Sequence, residues 1–342
     1  MVAALALVAA LLPADAEPAA ARTTASLAEY AQGSGAPTVS QAEVMPHLRA
    51  LQRITDRNGG NRAHGTRGYA QSVAYVRHAL ERVGFRTQLR HFSHADADGY
   101  NLIADWPGGD PQHVLLTGAH LDSVPAGPGI NDNGSGSAAV LAAALKVAES
   151  RLKPARHLRF AWWGAEEAGL IGSAHYVQSL SPSDHKAIDL YLNLDQAGSK
   201  NTRQWFVVND AQHGESAGFQ AFQAWFAALG LATFDVGVGG SDHEPFGIAG
   251  IPSSGLSTGI SDCIHNACDT LANVDPPTPP PQYIADWMMR QKSWDGTVEA
   301  LRLGYLAVRV DRGAGPKLFD RVGICSSTCR ARVRAYIVFQ PT

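Results

Sequence analysis

Apolar residues along the chain follow two different spacings. In SQAEVMPHLRALQRIT and GTRGYAQSVAYVRHALERVGF they recur three or four residues apart, which predicts two amphipathic helices. We expect Ser40 to cap the first helix and Gly84 to end the second. The buried face of the second helix is predicted to consist of Val73, Val76, Leu80 and Val83.

Short apolar runs predict strands in YNLIADWPG, QHVLLTGAH, HLRFAWWG and AIDLYLNLDQAGS, because each run ends in turn residues. Helical patterns lie between or after them in SGSAAVLAAALKVAES, EEAGLIGSAHYVQSL and SAGFQAFQAWFAALG, the first beginning near Ser135 and the last closed by Gly230. This alternation predicts an α/β fold of three layers, a mostly parallel central sheet with helices on both faces. Functional residues are then expected at the carboxyl ends of the strands.

The two ends of the chain differ in character from its middle. The apolar run Val2–Leu12 and the small residues Ala14–Ala16 favour a signal peptide over residues 1–21, with a short buried helix as the alternative. Residues 22–40 are expected to be a flexible or pro-peptide lead-in, and residues 41–275 the main folded domain. In 276–342 a proline-rich connection precedes a predicted helix, WDGTVEALRLGYLAVR, and no role is assigned.

Charge and hydropathy narrow the possible partners. The net charge of −3 gives no reason to expect binding to nucleic acid or to an anionic membrane. No run reaches the ~18 apolar residues that span a bilayer. Together with the predicted signal peptide, this indicates a secreted, extracellular protein that is not bound to a membrane after the signal is removed. We expect it to be a monomer.

Four cysteines form two close pairs, Cys263 with Cys268 and Cys325 with Cys329. In an exported protein each pair indicates a short-loop disulfide. A zinc site on Cys263, His265 and Cys268 is the alternative, but it would need a fourth ligand and a reducing compartment.

Acidic and imidazole side chains follow several of the predicted strands or stand in nearby loops: His120, Asp122, Asp132, Glu166, Glu167, Asp195 and His265. Each has an ordinary explanation alone, such as a turn residue or a helix cap. Their shared placement is better explained by a bound cation, since carboxylates brought together without one repel each other. A mixture of imidazoles and carboxylates indicates zinc. The two histidines together with the three carboxylates Asp132, Glu167 and Asp195 suit two zinc ions about 3.5–4 Å apart.

The segments GAHLDSV, GPGINDNGSG, LRFAWWGAEEAGLIGS, NLDQAGS, SDHEPF and HNACDTLANV occur in this order over roughly residues 40 to 275. In this order they resemble the secreted bacterial di-zinc aminopeptidases, the co-catalytic zinc exopeptidases of the leucyl-aminopeptidase type. The resemblance implies that residues 41–275 form a catalytic zinc peptidase domain. This domain would hydrolyse the N-terminal residue, Leu or another apolar residue, from peptides with a free N-terminus.

The same resemblance implies a role for each site residue. His120 and Asp195 would bind one zinc and Glu167 and His265 the other, with Asp132 bridging the two. Glu166 corresponds to the general base. Asp122 corresponds to a carboxylate that orients His120, followed by a cis peptide bond. Ser241, Asp242 and His243 correspond to residues that line the pocket.

Two positions depart from the family pattern. Gly240 and Ile264 stand where some relatives have an Arg and a Tyr, which leaves contacts to the substrate in question. Two other functions stay open: a glutaminyl cyclase-like acyltransferase with a single zinc, and a non-catalytic binding domain on the same fold. The intact ligand set and the Glu166–Glu167 pair favour the hydrolase.

Overall fold

The computed structural model describes residues 39, 41–151, 153–199, 205–209, 218–219, 222–223, 233–235, 240–259, 261–274, 306–310 and 333–337. The predicted signal peptide, Ser40, Gly230, Pro276–Pro281 and the Cys325–Cys329 pair lie outside these residues. None of the helices within them has the length and apolar character to cross a membrane.

A central sheet runs through the described residues and contains eight strands. These are β1 (Arg86–His94), β2 (Ala97–Asp105), β3 (Asp110–His120), β4 (Arg156–Trp163), β5 (Ile188–Leu194), β6 (Trp205–Asn209), β7 (Thr233–Asp235) and β8 (Ser253–Ser257). Their order across the sheet is β1-β2-β4-β3-β5-β8-β6-β7. The strands β4, β3, β5 and β8 run parallel. At one side of them β2 pairs antiparallel with β4 and β1 pairs antiparallel with β2, and at the other side β6 pairs antiparallel with β8.

Helices cover both faces of this sheet, as the sequence predicts. They are α1 (Gln41–Arg57), α2 (Arg67–Glu81), α3 (Gly134–Glu149), α4 (Ile171–Gln178), α5 (Pro182–Ala187) and α6 (Glu244–Ile248). Side chains of α1, α2 and α3 pack on one face, against Phe160 and Trp162 of β4. The alternate residues Ala161 and Trp163 pack with α4 and α6 on the opposite face. Because successive strand residues point to opposite faces, one buried strand contributes to both cores.

The helix α2 illustrates how local sequence signals set an element's limits. The Thr66 side chain caps its first turn by accepting a hydrogen bond from the Tyr69 amide. Gly84, with a φ of +99°, follows the helix as predicted. The placement of Val83 on the buried face was wrong, because the helix ends at Glu81 and Val83 is 40% exposed.

Two other predictions need correction or completion. The predicted C-terminal helix is wrong at its end, since Leu306–Val310 is a strand, β9, paired antiparallel with β10 (Val333–Ile337). Alternation of β-branched Val308 and Val310 with Arg309 favours an extended chain there. The strand β1 was not predicted, because its mostly exposed edge position leaves little apolar signal.

The first turn of α3 approaches the end of β5 so closely that it excludes a side chain at Gly136. A Cβ atom there would lie far inside van der Waals distance of the Leu194 carbonyl oxygen and of the Asn133 side-chain oxygen. The carbonyl belongs to a buried strand and cannot move aside as a surface side chain would.

We therefore expect Gly136→Ala to destabilise the protein by about 2 kcal/mol or more. Helix propensity alone predicts the opposite sign, a gain of about 1 kcal/mol, so the overlap must outweigh it. Thermal unfolding measures the effect, with Gly134→Ala as the matched control, since its nearest backbone atom, the Gly129 oxygen, would lie 3.1 Å from the new Cβ. A Gly136→Ala protein as stable as the control would show that this approach does not constrain the fold.

Candidate metal centre

The acidic and imidazole residues singled out from the sequence meet at the carboxyl edge of the sheet. His120 is the last residue of β3, Asp195 follows β5, and Glu166 and Glu167 occupy the turn between β4 and α4. Asp132 precedes α3, and His265 lies in the loop after β8. Parallel strands end at the same edge of a sheet, and that common edge brings residues distant in sequence together.

The Asp132 carboxylate lies between the two imidazoles. Its Oδ1 atom is 3.2 Å from Nε2 of His120, and its Oδ2 atom is 3.3 Å from Nε2 of His265. Each oxygen therefore faces a different histidine. This is the geometry that a carboxylate needs in order to bridge two cations.

Further carboxylates surround each imidazole. Oδ1 of Asp195 lies 3.5 Å and Oε2 of Glu166 lies 3.6 Å from Nε2 of His120, while Oε2 of Glu167 lies 3.0 Å from Nε2 of His265. Ligand atoms of two groups lie within 4.8 Å of one another: His120, Glu166 and Asp195 in one, His120, Asp132 and Glu167 in the other.

Three buried atoms of this cluster have no hydrogen-bond partner among the described residues: Nε2 of His120, Oε1 of Glu167 and Oδ1 of Asp195. A buried polar atom without a partner is costly, so such atoms usually face a ligand or an ion. Two imidazoles with three or four carboxylates are a donor set that fits zinc. The residues present therefore fit the metal that the sequence indicates.

The protonation equilibria of the cluster show how much negative charge it gathers. Burial, followed by repulsion from Asp132, raises the pKa of Glu167 to about 7, and burial raises the pKa of Glu166 well above its usual value. Hydrogen bonding to Asp132 and Glu167 raises the pKa of His265 to about 11. Burial opposes charge on His120, but attraction to Glu166 and Asp195 raises its pKa well above normal. The cluster thus favours added positive charge, whether carried by protons or by a metal.

Asp122 supports the cluster from behind. Its carboxylate accepts hydrogen bonds from the backbone amides of Glu166, at 3.2 Å, and Glu167, at 3.3 Å. The Asp122 carbonyl oxygen lies 3.2 Å from Nδ1 of His120, whereas its carboxylate stays 3.6 Å from that atom. The sequence indicated contact with His120 alone, and the link to the glutamate turn was missed.

The predicted position of the cis peptide bond was wrong. Among the described residues the cis bond joins Asp132 to Asn133, and the bond after Asp122 is trans. On either side of the cis bond, Asp132 faces the two imidazoles while Asn133 caps α3 through the Gly136 amide and donates to the Leu194 carbonyl at 2.8 Å.

The segment Ser241–His243 behaves differently from the expected pocket lining. The Ser241 hydroxyl donates to Oδ2 of Asp195 at 2.6 Å and accepts from Nδ2 of the Asn193 side chain at 2.8 Å, so it fixes a candidate ligand. Asp242 and His243 are 0% and 1% exposed and present no surface to a substrate. Burial lowers the pKa of His243 to about 4, which keeps this imidazole neutral.

A disulfide between Cys263 and Cys268 encloses His265, with 5.3 Å between the two Cα atoms. The predicted pairing is confirmed, and the alternative zinc site on these thiols is excluded. Ile264 is half-buried within the same loop, and Gly240, with a φ of +83°, donates its amide to Glu244. His265 itself has a φ of +56°, a conformation that the closed loop maintains.

Comparison with other proteins extends these findings. The model of Peptidase family M28 matches residues 101–281, more than half of the chain and every candidate ligand. Leupeptin-inactivating enzyme 1 of Streptomyces exfoliatus is 46% identical over 281 residues, 75% of this chain and 63% of that protein. An aminopeptidase of Pseudomonas aeruginosa is 40% identical over 204 residues, 52% of this chain and 38% of that protein. The chain thus spans less than two thirds of the length of these relatives.

Solved structures share the fold at low sequence identity. A zinc aminopeptidase from Bacillus subtilis matches with a TM-score of 0.61 and 16% identity, over 71% of this chain and 92% of that one. A glutaminyl cyclase from Porphyromonas gingivalis matches with a TM-score of 0.56 and 18% identity, over 74% of this chain and 97% of that one. These likenesses confirm the three-layer α/β fold. By its match to the family model over more than half of its length, the chain belongs to Peptidase family M28.

Proposed function

We propose that this chain is an aminopeptidase that uses two zinc ions to remove the first residue from peptides with a free N-terminus. The observation that carries the proposal is Asp132, whose two oxygens face two different imidazoles. A carboxylate shared in this way is characteristic of two-metal hydrolytic sites. Relatives named aminopeptidase, such as that of Pseudomonas aeruginosa, support the same function.

Each zinc ion would be held by one imidazole and one carboxylate besides Asp132. His120 and Asp195 would hold one ion, and Glu167 and His265 the other. When bound, the ions would polarise the scissile carbonyl and acidify the attacking water. Asp122 and Ser241 would keep His120 and Asp195 in place through the contacts described above.

Glu166 would act as the general base. Its side chain is 11% exposed, and its Oε2 atom faces the His120 side of the cluster. In its ionised form this carboxyl group would take a proton from water and later release it to the leaving amine. The bond from its amide to Asp122 fixes the backbone from which it reaches the site.

The substrate preference follows from the charge of the site. The ammonium group of a free N-terminus would be held by the acidic groups near Glu166 and Asp195, two residues whose partial exposure leaves this region within reach of a ligand. An acetylated N-terminus would lose this attraction. We propose an apolar first residue because some relatives are named leucine aminopeptidase. One of them is the Trichophyton equinum protein, which is 40% identical over 168 residues.

We also propose that the protein is exported and acts outside the cell as a monomer. The apolar run Val2–Leu12 resembles a signal peptide, and the Cys263–Cys268 disulfide is typical of an oxidising compartment.

Acyl transfer at a single zinc, as in a glutaminyl cyclase, is less well supported. It would leave either His120 or His265 with its carboxylates but without a metal. A purely binding role would not require Glu166 together with a complete ligand set, both of which are present.

The first expectation of this proposal concerns metal content. Purified protein should contain two zinc ions per chain, and a strong chelator should remove them together with peptidase activity, which two equivalents of zinc restore. Elemental analysis and a leucyl-nitroanilide assay measure both quantities. Full activity with a single ion per chain would contradict the two-metal site.

The second expectation separates the adjacent glutamates. Glu166→Gln is nearly isosteric, so it should retain both zinc ions while kcat falls by roughly 10²–10⁴-fold with little change in KM. Glu167→Ala removes a ligand and should lower zinc content instead. Near-native kcat in Glu166→Gln, or two tightly bound ions in Glu167→Ala, would show that the roles are assigned wrongly.

The third expectation concerns the N-terminus of the substrate. Leucyl peptides should be cleaved one residue at a time, whereas the same peptides carrying an N-acetyl group should be cleaved at least ~10-fold more slowly, since they lack the ammonium group. Mass spectrometry of the products distinguishes the two. Equal cleavage of acetylated peptides, or internal cleavage, would exclude an aminopeptidase.

A further inference from the structure

The loop that carries Asp132 contains no helix or strand between Val124 and Asn133. Nevertheless the Asp132 carboxylate must lie between two imidazoles. The groups of a functional site must be held within about 0.5 Å of their working positions. A loop without regular hydrogen bonding does not supply such precision by itself. Two buried charged residues from distant parts of the chain, neither of them a candidate ligand, bind its backbone.

Arg62 binds one side of this Asp132 loop (residues 124–133). Its side chain is fully buried, and its guanidinium donates to three backbone carbonyls: Leu121 at 3.2 Å, Pro128, and Gly129 at 2.9 Å. Its own amide also donates to the Ser123 hydroxyl at 2.9 Å. The planar guanidinium spreads five donors over three nitrogens, so it reaches carbonyls that lie too far apart for the single nitrogen of a lysine.

Asp269 binds the other side. Its carboxylate accepts from the amides of Asn131 at 3.0 Å and Asp132 at 2.9 Å, and its carbonyl oxygen accepts from the Ile130 amide at 2.9 Å. The Asn273 side chain donates to the same carboxylate at 2.8 Å, so Asp269 is itself fixed. Together with Arg62, it binds a backbone group of every residue from Pro128 to Asp132.

The charge of Arg62 is used without blocking the metal site. Within the described residues no carboxylate lies within ion-pair distance of its guanidinium, although Asp269, Asp122, Asp132 and Glu167 all attract it. A buried unpaired cation is costly unless surrounding negative charge compensates it. Arg62 therefore stabilises the carboxylates of the centre from behind while their oxygens remain available to a metal.

We propose that Arg62 and Asp269 are positioning residues that hold the Asp132 carboxylate in its bridging place between His120 and His265. The inference rests on the proposed metal centre but concerns residues that do not touch it. Because Asp132 would serve both ions, loss of either positioning residue should weaken both metal-binding steps. Loss of the ligand Glu167 should instead weaken one.

The test uses the full chain with Arg62→Lys, Arg62→Met and Asp269→Asn, and with the exposed Arg57→Met as the matched control. Stepwise zinc affinities are measured by competition with a chromogenic chelator, and the thermal midpoint of each metal-free protein is measured in parallel. We expect both affinities to fall 10–100-fold in the three variants, the range typical of residues that orient metal ligands, and to stay unchanged in the control.

Each alternative gives a different result. If Arg62 acted only through its charge, Arg62→Lys would bind zinc like the unaltered protein. If the two residues served only the stability of the fold, the metal-free midpoints would fall while both zinc affinities stayed the same. Either result would overturn the proposal. Asp269→Asn keeps the test valid if Arg62→Met does not fold, because the amide keeps the shape of the side chain but only one acceptor oxygen.

A combined Arg62→Lys/Asp269→Asn protein gives an independent check. If both residues act on the same segment, the fold-loss of zinc affinity in the combined variant should be smaller than the product of the two separate fold-losses. A combined fold-loss equal to that product would mean that the residues act independently. If the unaltered protein binds no zinc, the metal centre and this inference both fail. If it binds two ions and the variants bind them equally well, only this inference fails.

Discussion

The accumulation of negative charge at one edge of the sheet is the constraint on which the rest of this structure depends. Asp132, Glu166, Glu167 and Asp195 surround two imidazoles within a few ångströms, and none of these four side chains is more than 18% exposed. Carboxylates this close cannot all ionise unless positive charge compensates them. The raised pKa values of Glu167 and His265 express the same demand, which protons meet in the absence of a metal and a pair of dications would meet in its presence.

Around this edge the same local solution is used twice. Asp122 accepts from the consecutive amides of Glu166 and Glu167, and Asp269 accepts from the consecutive amides of Asn131 and Asp132. In each case a buried carboxylate that faces no metal position fixes the backbone of residues whose side chains do. Charge-assisted bonds to two successive amides define the direction in which the following side chains leave the chain. Acidic residues thus serve both as candidate ligands and as the supports that aim them.

Sequence patterns predicted the parts of the fold that depend on local order. Apolar runs ending in His120 and Leu194 predicted buried parallel strands, and the carboxyl ends of such strands share one edge whatever the loops do. The contacts of Arg62 could not be predicted, because its acceptors lie about sixty residues away in the sequence. The segment NRAHG around it also has the composition of an ordinary solvent-exposed loop. The contacts of Asp269 could not be predicted either, since the amides that its carboxylate binds lie 137 and 138 residues away. The predicted helix WDGTVEALRLGYLAVR failed over its last residues, 306–309, where a short alternating pattern outweighed a longer helical one.

The two halves of the centre are built on unequal supports, and this explains why the loop around His265 is crosslinked. His120 and Asp195 leave neighbouring strands whose hydrogen-bond ladders already hold them. No strand holds His265, which is 33% exposed and lies in a loop. The Cys263–Cys268 disulfide closes that loop, and Asp269 follows directly after the second cysteine. One covalent bond therefore restrains both the imidazole that faces Asp132 and the carboxylate that binds the Asp132 amide. The position of His265 is thus set relative to Asp132 rather than to the sheet.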